Sequence, residues 1–273
     1  MRLLTFSLLA LFACTDNVTP PSSQVAGPAA RCVPNVDGVI DASEFPNLAN
    51  TDTIVLSSVA GSNPVVDLDG AVDGDGRQTW PFASDSLGTT PLEVTALPIA
   101  SRWYADKFPG AEFAFSSTDG AFDSVYSQDG SGLWLHGVAS TLENPTIGQT
   151  LIVYSAPVQI YRFPLVRGDA WTSIGEIPAG TFTGFAFTGR DVYSVADDAT
   201  GYLELPDLTF SQAHRVRLTI TNEPMLAPAT TRRQVSFLFE CFGEVTRVTS
   251  KLNETAEDFT TADEVRRFTV PSS

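Results

Sequence analysis

Apolar and polar positions alternate with a period of two over much of the chain after residue 110. Residues 111–115 alternate and run into the turn Ser117-Thr118-Asp119-Gly120. Residues 121–126 alternate again, and Gln128-Asp129-Gly130-Ser131-Gly132 makes a second turn before residues 133–138. Successive side chains of a strand point to opposite faces, so this pattern predicts three antiparallel strands joined by Asp-Gly turns. The β-branched and aromatic runs at 151–154 and 158–161 extend it, as do residues 190–195 and 201–205. In residues 214–220, His214, Val216, Leu218 and Ile220 fall on one face and Arg215, Arg217 and Thr219 on the other. Residues 233–240 and 244–250 predict a hairpin around Phe242-Gly243, and residues 265–270 the last strand. Helical spacing is never sustained. Residues 98–106 predict one short helix that carries Trp103 and Tyr104 into the core. The expected fold class is therefore all-β: a single antiparallel twisted sheet, half-barrel or barrel, with at most one or two short helices.

The amino terminus follows a different rule. After Met1-Arg2 comes an apolar run, residues 3–12, broken only by Thr5 and Ser7. It has the length of a secretory signal core and falls well short of the ~20 apolar residues that span a membrane. It ends in Leu11-Phe12-Ala13-Cys14, which resembles the lipobox of bacterial lipoproteins, although Phe12 is bulkier than is usual there. The resemblance implies a signal peptide at 1–13, cleavage before Cys14 and acylation (palmitate among the acyl groups) of the Cys14 thiol. The alternative is an ordinary signal peptide with a cysteine near the cut. Residues 14–31 are rich in Pro, Ser, Ala and Gly, the composition of a flexible tether. Residues 32–273, which contain no obvious internal linker or repeat, are expected to form a single β-rich domain. Thr15, rather than Asp, follows the cysteine. By analogy with enterobacterial sorting this implies the outer membrane, so the expected location is the cell envelope, with an acyl anchor in the membrane.

Charge and cysteines narrow the picture further. The formal net charge is −16, and removing Arg2 with the leader takes away one more positive charge. An acidic surface repels phosphates, so no nucleic-acid partner is expected. With Cys14 committed to lipid, Cys32 and Cys241 remain as an even pair in an oxidising compartment, and a disulfide between them is expected; two separate buried thiols are the other reading.

Two stretches resemble motifs of secreted, β-rich bacterial lipoproteins of the kind numerous in myxobacteria. Pro164-Leu165-Val166-Arg167-Gly168-Asp169-Ala170-Trp171 resembles their P-L-x-x-G-x-x-W signature, and Cys241-Phe242-Gly243-Glu244-Val245 their late G-x-V hairpin. Val65, Asp67, Gly70 and Trp80 have the look of their early segment. The resemblance spans roughly residues 53–270 and implies kinship with lipoprotein-carrier half-barrels, in which a sheet curves around an apolar concavity. Such kinship concerns fold and does not by itself assign a function. Read from their own chemistry, these residues are structural: Pro164 interrupts strand pairing, Gly168 turns the chain, and Trp171 packs inward.

Candidate sites are few. Residues 35–45 resemble the second half of an EF-hand loop. In that register Asn35, Asp37, the Val39 carbonyl, Asp41 and Glu44 would bind calcium, with Gly38 at the sharp turn. Val33 stands where the first ligand belongs and has no side-chain oxygen, and a glycine turn followed by a capped helical turn accounts for the same residues. Asp67, Asp69, Asp73 and Asp75 cluster in a glycine-rich stretch that reads as a solvated turn. His136 and His214 read as core or boundary histidines. No H-E-x-x-H, C-x-x-C, G-x-S-x-G or phosphate-loop motif occurs, so no cofactor other than calcium is implied and enzyme activity is not expected. Paired carboxylates for a hydrolase remain a third possibility. Two readings stand ahead of it. One is a carrier whose concave sheet holds a lipid or other apolar ligand, and some of the chain's 18 Phe residues could line such a cavity. The other is a structural or protein- or glycan-binding lipoprotein of the cell surface, with a packed core and an exposed aromatic patch.

The anchor is directly testable: metabolic labelling with radioactive palmitate is expected to mark the wild-type protein and leave Cys14→Ser unlabelled.

Overall fold

The computed structural model describes residues 32–49, 52–59 and 61–270. The expected signal peptide, the expected acylation site Cys14 and the expected tether to residue 31 lie outside the described residues. The strands, in chain order, are β1 (Val39–Ile40), β2 (Asp52–Ser58), β3 (Ala71–Val72), β4 (Gln78–Pro81), β5 (Thr89–Thr95), β6 (Leu97–Pro98), β7 (Phe113–Ser116), β8 (Phe122–Asp129), β9 (Gly132–Ser140) and β10 (Leu151–Arg162). They continue with β11 (Leu165–Val166), β12 (Ala170–Phe182), β13 (Phe185–Glu204), β14 (Thr209–Pro224), β15 (Thr230–Phe239), β16 (Gly243–Ser250) and β17 (Ala262–Phe268).

Thirteen of these form one antiparallel path in the order β5-β2-β17-β16-β15-β14-β13-β12-β10-β9-β8-β7-β6. The two ends of the path, β5 and β6, are consecutive in the chain and separated only by Ala96, so the sheet curls until its edges meet and is nearly closed into a barrel. Closure protects edges that would otherwise invite pairing with other chains. The all-β expectation holds, in its barrel form.

Several elements differ from the sequence pattern. Residues 190–195 and 201–205 belong to one 20-residue strand, β13, and residues 151–154 and 158–161 to one 12-residue strand, β10. Register shifts between Asp197 and Ala199 and between Val153 and Val158 break the alternation inside them, which is why they read as separate strands. The last strand ends at Phe268. Among the described residues there is no α-helix. Residues 98–106 fold as the 3₁₀ turns Ile99–Ser101 and Ala105–Lys107, a run too short and too tightly turned to propagate. Tyr104 is fully buried as expected, but within a layer on the outside of the sheet, and Trp103 beside it is only half-buried.

Three apolar clusters hold the described residues together. The largest lies inside the barrel and includes Leu133, Leu135, Tyr154, Val158, Tyr161, Trp171, Tyr193, Val195 and Leu218. Gly175 makes room for it, because a Cβ there would stand 2.6 Å from the Tyr154 ring. Trp171 is core as expected, and its Nε1 donates to the Gln159 carbonyl at 3.0 Å. The second cluster lies outside, where Val66, Leu68, Trp80, Phe82 and Leu87 cover Leu203, Ala213, Val235, Phe237, Val248 and Val265. Arg215 clamps it, with its guanidinium 5.3 Å from the Trp80 ring centre and a bond to the Leu68 carbonyl. The third is also external and packs Tyr104 and Phe108 over Ala114, Val125 and Ala139.

Residues 32–49 close one end of the barrel, here called the lower end. Their strand β1 pairs with β11, and Phe45 packs 4.9 Å from Phe163 and 5.9 Å from Tyr161. The backbone N–H groups of Asn35 and Val36 donate to the buried Glu240 carboxylate. Cys32 and Cys241 form the expected disulfide, with Cα atoms 5.5 Å apart. The bond closes nearly the whole domain and removes entropy from the unfolded chain. The double variant Cys32→Ala/Cys241→Ala is therefore expected to lose roughly 3–5 kcal/mol of unfolding free energy in urea titrations, while retaining its β-sheet circular dichroism in buffer.

Candidate functional site

Burial in this sheet is inverted over part of its circumference. On β15, β16 and β17 the outward residues Val235, Phe237, Val248, Val265 and Arg267 are buried under the outer layer. The inward residues paired beside them, Gln234, Arg247, Thr249, Glu264 and Arg266, are only half-buried. Strand β8 repeats the arrangement: outward Asp123 and Val125 have no exposed surface, while inward Phe122, Ser124 and Tyr126 keep some. Contacts across the barrel fix which side is inward. The Tyr161 hydroxyl on β10 donates to Glu244 on β16 at 2.6 Å, although these strands are not neighbours in the sheet. Side chains ringed by strands that still keep accessible surface enclose a lumen. Strand number gives the reason: with about 4.8 Å between strands and a tilt near 40°, thirteen strands imply a radius of roughly 13 Å, whereas about eight strands are just filled by their own side chains.

The lumen has two unlike walls. One is apolar, formed by Phe115, Tyr126, Tyr193, Leu218, Ile220 and Phe187 as parts of the interior cluster or packed against it. The other is polar, formed by Gln234, Glu244, Arg247, Thr249, Glu264 and Arg266. The walls meet at a floor above the 32–49 segment. There Glu244 accepts from Tyr161, from Ser236 at 2.8 Å and from Arg247 at 2.9 Å. The Arg247 side chain nevertheless keeps 31 % of its surface. Burial pulls its pKa down, but Glu244 beside it and the Tyr161 and Tyr126 hydroxyls push harder the other way, so it stays charged. Burial and Glu244 drive the Tyr161 hydroxyl well above the ordinary tyrosine range, so it acts as a donor.

The opposite, upper end carries an apolar rim. Phe122 lies 6.5 Å from Phe182, and Phe182 lies 6.2 Å from Phe187. At the hairpin tips Phe185 is 76 % exposed, Met225 71 % and Leu226 97 %. The β7–β8 turn bends inward here, and Thr118 bonds both Glu264 and Arg266 on the far wall.

Two further concavities lie on the outside. A groove of about 510 Å³ crosses β12 to β15, lined by Thr172, Ser194, Arg217, Thr219, Arg233 and Glu257. Its arginines are engaged: Arg217 by Asp198 and Asp258, and Arg233 by the carbonyls of Glu254 and Thr255. A second, of about 530 Å³, lies between Asp37-Gly38, Arg77, Arg167 and Tyr202.

The residues singled out in the sequence fall as follows. Asn35, Asp37, Val39, Asp41 and Glu44 lie in one short segment around β1, and the side-chain oxygens of Asn35, Asp37 and Glu44 face that segment's own donors. Asn35 Oδ1 accepts from Asp37 N–H, Asp37 Oδ1 from Val39 N–H, and Glu44 from Asn35 Nδ2 and Asp41 N–H. Among the described residues no group of three or more His, Cys, Asp or Glu converges as metal ligands would. Asp73 and Asp75 pair with Arg77, Asp67 bonds Gly70 N–H, and Asp69 faces Asp258, which raises its pKa. His136 sits at a bulge on β9 with Nε2 2.8 Å from Ser127 Oγ. His214 is buried inside the barrel with Nδ1 2.6 Å from Asp197 Oδ2. The polar wall was missed by the sequence reading, because Arg247 and Arg266 look like ordinary solvent-facing residues of alternating strands. Comparison with known proteins gives no match to a family model, to a curated protein or to a solved structure.

Near the mouth Asp191 accepts from Tyr154 Oη at 2.6 Å and from Asn222 Nδ2 at 2.7 Å, and burial raises its pKa despite both bonds. A carboxyl with a raised folded-state pKa favours folding while protonated and opposes it once ionised. Asp191→Asn is thus expected to melt about 2–4 °C above the wild type at pH 8. The gap should close as pH falls below the carboxyl's ordinary range, which thermal unfolding across a pH series would show.

Proposed function

We propose that this protein is an acyl-anchored container of the cell envelope that holds a lipid or another apolar ligand inside its barrel. The observation that carries the reading is the half-exposed inward face, ringed by strands and walled on one side by Phe115, Phe122, Tyr126 and Phe187. Apolar surface facing a lumen is stabilised when an apolar guest displaces the water from it. The rim of Phe182, Phe185, Met225 and Leu226 supplies an apolar route between such a guest's membrane source and the lumen. The anchor at Cys14 and the outer-membrane address belong to the same proposal and rest on the lipobox-like sequence.

A second reading is a cell-surface protein whose apolar rim contacts an envelope partner. It is favoured by the exposure of Phe185 and Leu226 in neighbouring hairpin tips, an unusual placement for large apolar side chains.

The two are separated by native mass spectrometry of protein purified from its own host. A retained small apolar molecule, lost on solvent treatment, supports the container. A protein that carries only its Cys14 acyl groups supports the partner reading. Ser124 offers a variant: it faces the lumen between Phe122 and Tyr126. Ser124→Trp is expected to cut binding of an apolar fluorescent probe at least tenfold with little change in melting temperature, and unchanged binding would count against the lumen as the site.

A further inference from the structure

The polar wall has a feature that folding alone does not require. Arg247 and Arg266 are direct register partners on β16 and β17, so two guanidinium groups stand side by side on the inward face. Each is neutralised along one edge only. Arg247 gives Nη2 to Glu244, and Arg266 gives Nη2 to Thr118 and Glu264. Among the described residues neither Nε has a partner, and each is itself closed to solvent. Among the described residues no bond reaches either Nη1, so each guanidinium keeps an edge, on its Nη1 side, that its carboxylate does not use. The side chains keep 31 % and 18 % of their surface, inside a barrel. Buried donors are almost always paired, and guanidinium forks are suited to carboxylate and phosphate oxygens. The apolar wall faces this pair from β8, where Tyr126 lies close enough that both arginines act on its hydroxyl. From there Phe115, Phe122 and Phe187 continue the apolar surface towards the rim.

We infer that the lumen takes an amphipathic anion, with its carboxylate or phosphate headgroup against the unused edges of Arg247 and Arg266 and its apolar tail along the aromatic wall towards the mouth. This rests on the container reading and specifies its ligand. A purely apolar guest would leave both guanidinium edges stripped of water and unpaired, at a cost. A small free anion would leave the aromatic wall wet.

The test uses 11-(dansylamino)undecanoic acid and its methyl ester, titrated into the full chain at fixed salt and followed by dansyl fluorescence. The acid is expected to bind at least tenfold more tightly than the ester. Arg266→Gln should reduce that ratio to within about threefold of unity, mostly by weakening the acid. Arg247→Gln strands Glu244 beside it, so the charge-balanced pair Glu244→Gln/Arg247→Gln serves as the second variant and should act in the same direction. Circular dichroism melts report whether each variant folds. Dodecanoate should displace the acid, and inorganic phosphate at the same concentration should not. Equal binding of acid and ester to the wild type, or a ratio untouched in both folded variants, overturns the headgroup assignment and leaves the container standing. Displacement by inorganic phosphate as effective as by dodecanoate overturns the amphipathic character. If neither probe binds, the container reading fails, and this inference with it.

Discussion

The number of strands in the closed path governs the rest of the structure. A barrel of about eight strands is filled by the side chains its own strands point inward. Thirteen strands enclose more than inward side chains can fill, so the apolar cluster occupies one wall and the lower end while the opposite wall remains polar and half-exposed. A polar wall of this kind is stable only where water or a guest satisfies it, which ties architecture to the proposed binding role.

A wide barrel with a partly wet interior must find its hydrophobic stabilisation elsewhere, and it does so on the outside. The segment from Val66 to Leu87 buries the outer faces of β15, β16 and β17, and the segment around Tyr104 and Phe108 does the same for β7, β8 and β9. Charged groups under these layers are held by hydrogen bonds, although the buried Arg267 Nε has no partner among the described residues. Asp123 has no exposed surface and accepts from Tyr104, Ser116 and Arg102, while the buried Arg267 donates to the Phe82 and Ser84 carbonyls and to Thr89. Removing Arg102 would leave the Asp123 charge buried and uncompensated, and removing the acceptors of Arg267 would strand its guanidinium, so these bonds position the outer segments more firmly than apolar contact alone would.

The lower end is closed by covalent and polar means together. The Cys32–Cys241 disulfide, the Glu240 carboxylate beneath Asn35 and Val36, and the Phe45 contact with Phe163 hold the 32–49 segment across the strands. The EF-hand-like residues serve this closure: Glu44 spans from Asn35 to Asp41, and Gly38, at φ +85°, makes the turn for which that motif also needs a glycine. One sequence pattern thus fits both an ion loop and a self-bonded turn, because both need short oxygen-bearing side chains folded back on backbone donors.

The amino-acid sequence by itself determined the local and periodic features. Two-residue alternation and Asp-Gly turns established the all-β class, the hairpin around Phe242-Gly243, and the inward face shared by His214, Val216 and Leu218, since each depends on neighbours along the chain. Cysteine parity gave the Cys32–Cys241 bond. Tertiary structure alone decided which face was better buried and which residues met across the barrel. Alternation states that Arg247 and Val248 point opposite ways. It cannot state that an outer layer covers Val248 or that Arg247 faces Tyr161 from a strand far away in the sheet. Those facts follow from curvature and closure, which sum small twists over thirteen strands and have no signature in any short stretch of sequence.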